Sequence, residues 1–393
     1  MCVCDINRFS NRFLFNHTSN NDCQGYNRCE NGGQCFQNNE TCPTKSTCIC
    51  PDCYYGAKCQ FSTKSFMFSL DSILGYHIKP KISFNRQPLI IKISILISTI
   101  ILISGLISGL LSIVTFRRKK PRQVGTGYYL LLSSITSIFT IIILTIKFWR
   151  LIFSQMSLIN NRSILYFNCI SIDVILKIFL SSSEWLNACV AIERIISIMK
   201  GVHFNRKKSK KLSKWIIVSV FILTIFTYIH DPIHRQLIDD IDIDEHQIWC
   251  FVQYSSSSVN IYNSFITLFH FLTPFSINVI SALWIIIASA YNRIGVQPDQ
   301  SFQQHLQHQI QKHQHLLFAP CMLILLNLPR LIISFTSGCM RSARKPWLYL
   351  IGYFVSFIPS MLMFFVFILP SKNYKNEFNT MLQEAMIRFR RSS

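Results

Sequence analysis

Cysteine is the residue whose spacing says most about chemistry in this chain. Ten of the 15 cysteines (Cys2, Cys4, Cys23, Cys29, Cys35, Cys42, Cys48, Cys50, Cys53 and Cys59) fall within the first 59 residues. That density implies disulfides formed in an oxidising compartment. The C-x-C-x-x-C run at Cys48, Cys50 and Cys53 could in principle bind zinc, but no histidine stands near it. A second group of reactive side chains is ionisable and embedded in apolar sequence: Asp173, Lys177, Glu184, Glu193 and Arg194. Charges in such surroundings cost several kcal/mol unless they are paired or face water. Asp173 and Lys177 are four residues apart, on one helical face. They either neutralise one another or line an outer pocket to which Lys147 and Arg330 add polar contacts. The histidines near 305–315 lie in a Gln-rich stretch without a metal-ligand spacing. No catalytic set is identified, and the reading predicts no enzyme activity, no metal and no cofactor.

The elements that must position these groups follow from hydropathy. Half of the 393 residues are hydrophobic and 15% are charged. The first 88 residues are polar and contain no run of about 20 apolar residues, so they cannot cross a bilayer. Beyond them, apolar runs cover about 89–116, 124–149, 165–199, 213–232, 259–290, 315–337 and 346–370. Each is long enough to span a bilayer, where backbone satisfaction selects the helix. The expected fold is an all-α seven-transmembrane helix bundle (89–370) behind a small disulfide-rich β domain (19–60). An incomplete N-terminal segment (1–18), an extracellular linker (61–88) and an amphipathic tail (371–393) complete the division.

The net charge of +21 raises nucleic-acid binding, but its distribution argues against that. Alternate connections carry 19 basic residues against three acids, including Arg117 to Arg122, Lys200 to Lys214 and the C-terminal tail. The loop between spans four and five carries six acids. The positive-inside rule therefore sets the N-terminus outside and the C-terminus in the cytoplasm. The three N-x-[ST] sequons, at Asn16, Asn39 and Asn161, all fall on expected outer segments and are candidate glycosylation sites. The basic loops suit anionic inner-leaflet lipid and acidic cytosolic partners.

Within residues 19–60, six cysteines with Asn31-Gly32-Gly33 before the third and Tyr55-Gly56 in the last hairpin resemble an EGF-like domain. The resemblance implies the pairs Cys23–Cys35, Cys29–Cys48 and Cys50–Cys59, with Cys42 and Cys53 left to form a fourth. No calcium consensus precedes the first cysteine. Met1-Cys2-Val3-Cys4 shows no n-region or cleavage site. Cys2 and Cys4 are expected to belong to a further module.

The seven spans resemble a rhodopsin-like G-protein-coupled receptor. Span three carries Cys169 at its outer end and Glu193-Arg194-Ile195 at its inner end, 25 residues apart. That is the family's separation between its disulfide cysteine and its DRY arginine. The resemblance implies a Cys169–Cys250 disulfide, a resting Glu193 that holds Arg194 inward, and an Arg194 that meets a heterotrimeric G protein on activation. Pro274, Pro329 and Pro359 fall where proline would hinge spans five, six and seven. Residues 371–393 resemble the family's membrane-surface eighth helix. Departures are numerous: Ser108 replaces the span-one Asn, a small residue near Thr136 the span-two Asp, and Asn327 the toggle Trp. Met363 to Phe367 stand in place of NPxxY, and Gln309 in place of the acid that can lock Arg194. Leu176 occupies the amine-binding Asp position and span seven has no Lys, so neither an amine nor a Schiff-base ligand is expected. The acidic lid and large ectodomain suit an extracellular peptide or protein, and Cys339 could tie the third outer loop to the N-terminal segment. The alternative function is a non-signalling adhesion or decoy protein using its EGF-like domain.

Overall fold

The computed structural model describes residues 2–4, 10–12, 29–37, 46–56, 58–62, 69–79, 82–159, 161–241, 246–252, 254, 256–294, 318–329, 331–333 and 346–392. Three small antiparallel hairpins open the chain: β1 (Cys2–Cys4) with β2 (Ser10–Arg12), β3 (Gln34–Gln37) with β4 (Ser46–Ile49), and β5 (Tyr54–Tyr55) with β6 (Phe61–Ser62). Cys35 sits opposite Cys48 in the second. Disulfides join Cys29 to Cys48 and Cys50 to Cys59. Cys35 and Cys53 are also disulfide-bonded, while Cys23 and Cys42 lie outside the described residues. A module with so few apolar residues depends on such bonds for stability.

A short helix α1 (Leu70–Leu74) precedes the long ones: α2 (Leu89–Phe116), α3 (Gly125–Gln155), α4 (Arg162–Lys200), α5 (Arg206–Tyr228) and α6 (Ser257–Ile294). All five are long and apolar enough to cross a membrane. A hairpin of β7 (Arg235–Ile241) and β8 (His246–Val252) separates α5 from α6. Two shorter apolar helices follow, α7 (Phe318–Ile333) and α8 (Pro346–Val355). The chain ends in α9 (Ile358–Met361), a π-helical turn (Phe364–Ile368) and α10 (Lys372–Ser392).

Small residues hold much of the inward face of α2. Ser94, Ser98, Gly105, Ser108, Gly109 and Ser112 are buried there beside Ile91, Ile101 and Phe116, whereas Leu96, Ile100, Ile103, Ile107 and Leu110 are exposed. This inversion is what lipid permits: tails solvate leucine as well as protein does, so helices meet through small residues that let backbones approach. A Cβ on Gly105 would fall 2.1 Å from Ile141 Cδ1, and one on Gly109 would fall 2.4 Å from Ile138 Cγ1. The Gly105-x-x-x-Gly109 spacing therefore seats α3 against α2.

Two expectations about the spans need correction. The fourth span, α5, begins at Arg206 rather than 213, because Asn205 caps it by accepting a bond from the Lys208 amide and the lysine-rich segment continues the helix. The seventh span is not one continuous helix. Ser356 N–H bonds to the Tyr353 carbonyl and Phe357 N–H to the Phe354 carbonyl, both tight i+3 turns. Pro359 then supplies no N–H to carry the α-helical ladder across the break. Of the expected sixth span, residues 315–317, 330 and 334–337 lie outside the described residues.

Candidate functional site

At the end of the bundle that meets the β7–β8 hairpin, six ionisable side chains from five parts of the chain converge. Asp173 of α4 pairs with Lys147 of α3, and on its other oxygen with Arg235 of β7 at 2.6 Å. Arg235 also contacts Asp231 at 3.3 Å, and Lys177 of α4 reaches Asp231 at 2.6 Å. Asp71 of α1 approaches Lys147 at 3.5 Å. Asp231 is fully buried and Arg235 is 5% exposed. Three acids and three bases therefore neutralise one another, the condition under which charges tolerate burial. Lys147 and Lys177 also lie 5.9 and 6.0 Å from the rings of Tyr353 and Tyr228. Of the two readings of Asp173 and Lys177, mutual neutralisation does not hold: four residues of helix set them on one face, but each finds a closer partner on another element.

The hairpin that supplies Arg235 is tied down by the Cys169–Cys250 disulfide and by Gln155, which donates to the Ile248 carbonyl at 2.9 Å. Asn161 caps α4 through its carbonyl oxygen, which accepts from the Ser163 and Ile164 amides. Arg330, Asn16, Asn39, Gln309 and Cys339 lie outside the described residues.

Halfway along the bundle the polar groups are neutral. Ser133 donates to Asn187 at 3.0 Å and lies 3.3 Å from Ser183, with Met363 Sδ at 3.9 Å. Ser108 Oγ accepts from the Phe364 amide at 3.0 Å, satisfying a backbone donor beside the π-helical turn. Thr136, near which the substituted span-two acid was expected, bonds to the Ser133 carbonyl. Among the described residues no group of three or more His, Cys, Asp or Glu side chains could hold a metal.

A second buried link escaped the sequence reading. The Trp185 indole donates to His270 Nδ1 at 2.9 Å, and His270 Nε2 lies 2.7 Å from Thr227 Oγ1. Indole nitrogen is only a donor, so Nδ1 must accept and Nε2 carries the proton to Thr227. Tyr228 stacks on the same imidazole at 5.0 Å. His270 thereby joins α4, α5 and α6, one turn before Pro274. Only aromatic and polar residues within spans hinted at it.

At the opposite end, Ser209 of α5 donates to Glu193 and accepts from the Gly125 amide at 2.9 Å. Arg194 lies 5.8 Å from the Phe367 ring. The acid and the arginine are therefore engaged with different elements, not with each other as the resemblance implies. Helix α10 docks beside them. Arg118 contacts Glu377 at 3.3 Å and Glu384 at 2.7 Å, Lys120 reaches Glu377, and Tyr374 packs edge-on to Phe116.

A multi-pass helical bundle with a charge-lined, disulfide-capped mouth and an arginine at its opposite end defines a membrane-receptor architecture. Residues 109–384, well over half of the chain, match the family model of the 7 transmembrane receptor (rhodopsin family), and the chain belongs to that family. No individual curated protein matches it.

Proposed function

We propose that the chain is a plasma-membrane receptor that senses an extracellular peptide or protein and signals to heterotrimeric G proteins. Its N-terminus is extracellular and its C-terminus cytoplasmic, an orientation that the charge of the connecting loops supports. Residues 19–60 form an EGF-like protein-binding module, Asn161 and the two earlier sequons carry glycans, and α10 lies on the inner leaflet. The observation that carries the reading is the placement of Arg194 among Phe367 and α10, at the end opposite the charged mouth. A guanidinium there stands at the end of the bundle that the basic loops mark as cytoplasmic, where a cytosolic partner would meet it.

The test is G-protein recruitment in cells that express the chain at matched surface density, with peptide extracts applied. Recruitment is expected, and Arg194→Ala is expected to abolish it. Recruitment that survives the substitution would sink the coupling role of Arg194. Silence of both chains would favour the adhesion or decoy reading, for which Asn327 at the toggle position and Met363–Phe367 in place of NPxxY speak.

A further inference from the structure

The bundle's mouth is already filled. Leu70, Ile73, Leu74 and Ile78 are 0–1% exposed, and they share one apolar cluster with Ile91 of α2, Phe148, Leu151 and Ile152 of α3, and Tyr349 and Tyr353 of α8. A five-residue helix has no stability of its own in water, so α1 holds its form because the mouth holds it. Its acid points at the charge cluster, where Asp71 approaches Lys147 at 3.5 Å. Trp249 closes the seat from above: a Cβ on Gly75 would stand 2.6 Å from its ring, so the indole rests on bare backbone. The cavity left between Asp71, Lys147, Asp173 and the hairpin is about 70 Å³, room for a few waters and for no peptide.

Resting on the receptor reading above, we propose that this mouth is a peptide-binding site whose resident ligand is the chain's own segment 69–79. The chemistry it selects is a single acid between aliphatic residues on one helical turn, here Leu70-Asp71-Ser72-Ile73-Leu74. A diffusible ligand of the same class must displace this segment, or act on it from outside. A route for the second exists: Phe61, directly after the cysteine-rich module, packs against Trp249 at 6.1 Å and Phe251 at 5.1 Å. Force on the module is thereby passed to the ring that covers Gly75.

The experiment is maleimide labelling of single introduced cysteines in the detergent-purified full chain, with the labelling of the unsubstituted chain subtracted. Ser72→Cys, at a buried position of α1, is compared with Leu158→Cys, which is 62% exposed. Ser72→Cys is expected to react at least tenfold more slowly. Asp71→Ala should narrow that gap severalfold and Ile73→Glu should close it. In a second arm, a fluorescent peptide of sequence SLDSILGYHIK is expected to bind saturably to the Leu70→Glu/Ile73→Glu chain and not to the unmodified one. Equal labelling of the Ser72→Cys and Leu158→Cys chains, or equal peptide binding by the unmodified and the Leu70→Glu/Ile73→Glu chains, would overturn the proposal. Neither arm requires G-protein coupling, so recruitment that survives Arg194→Ala would count against the signalling role alone and leave this proposal standing.

Discussion

Asp231 shows what a single side chain carries at the mouth. It is fully buried and serves both Lys177 and Arg235, so Asp231→Asn removes the carboxylate that Lys177 contacts and leaves Arg235 with Asp173. Breaking a buried pair from one side costs about 3–5 kcal/mol because the abandoned charge stays desolvated. A drop of several degrees in the melting temperature of the purified protein is expected. Lys177→Met added to Asp231→Asn should recover part of it; a drop no smaller in the double variant would show that Lys177 does not depend on Asp231. His270 poses the neutral version of the same question. His270→Leu strands the Trp185 indole N–H in the interior, at a cost of about 1–3 kcal/mol. His270→Gln, which keeps an acceptor, should cost less, and equal melting losses would refute the hydrogen-bond account. The cysteines, the Glu193-Arg194 pair and the ionisable residues of span three were legible in the sequence because type and spacing lie within one segment. The roles of Asp231, Arg235 and His270 were not. Their partners come from elements far away in the chain, and periodicity along one helix says nothing of what faces it.

Elements follow a similar division. Long apolar runs marked the helices well, since a bilayer fixes both their length and their conformation. Hydropathy was blind to the break in the seventh span, where Met361 and Leu362 are as apolar as a helix interior and only Pro359 gives warning. It was equally blind to α1, whose five residues sit in a stretch that reads as linker and acquire structure from the bundle they enter. Contact between α2 and α3 is the element-scale feature with the sharpest consequence. Gly105→Leu must push Ile141, which is wholly buried, out of its place. Overpacking of this kind costs about 1–3 kcal/mol, and here it also separates two helices along their length. Lower surface expression and a lower melting temperature are expected. Ile103→Leu, at an exposed position of the same helix, should change neither, and comparable losses from both would refute close packing as the reason for glycine.

At the scale of the whole molecule, the outer segment, the hairpin and the helices form one mouth, and its seat should respond to pH through His77. This imidazole is 8% exposed, and burial pushes its pKa below the ordinary value of 6.5. A base whose folded pKa is depressed contributes its full stability above the unfolded value and loses it as pH falls through 6.5 toward the folded one, because the unfolded state binds the proton more readily. Burial acts oppositely on Asp71, whose carboxyl is pushed up from 3.8 by desolvation that Lys147 only partly offsets. A raised pKa means that the folded seat holds this proton more readily than the open chain does, so the two groups on this segment oppose one another as acid is added. Their contributions separate by substitution. In the Ser72→Cys chain, the labelling rate relative to Leu158→Cys at the same pH removes the ordinary slowing of thiols in acid. That ratio should rise between pH 7.5 and 5.5, and His77→Leu should flatten the rise while leaving the value at pH 7.5 unchanged. A rise of the same size in His77→Leu would assign the response to another group and leave His77 a packing residue of the seat.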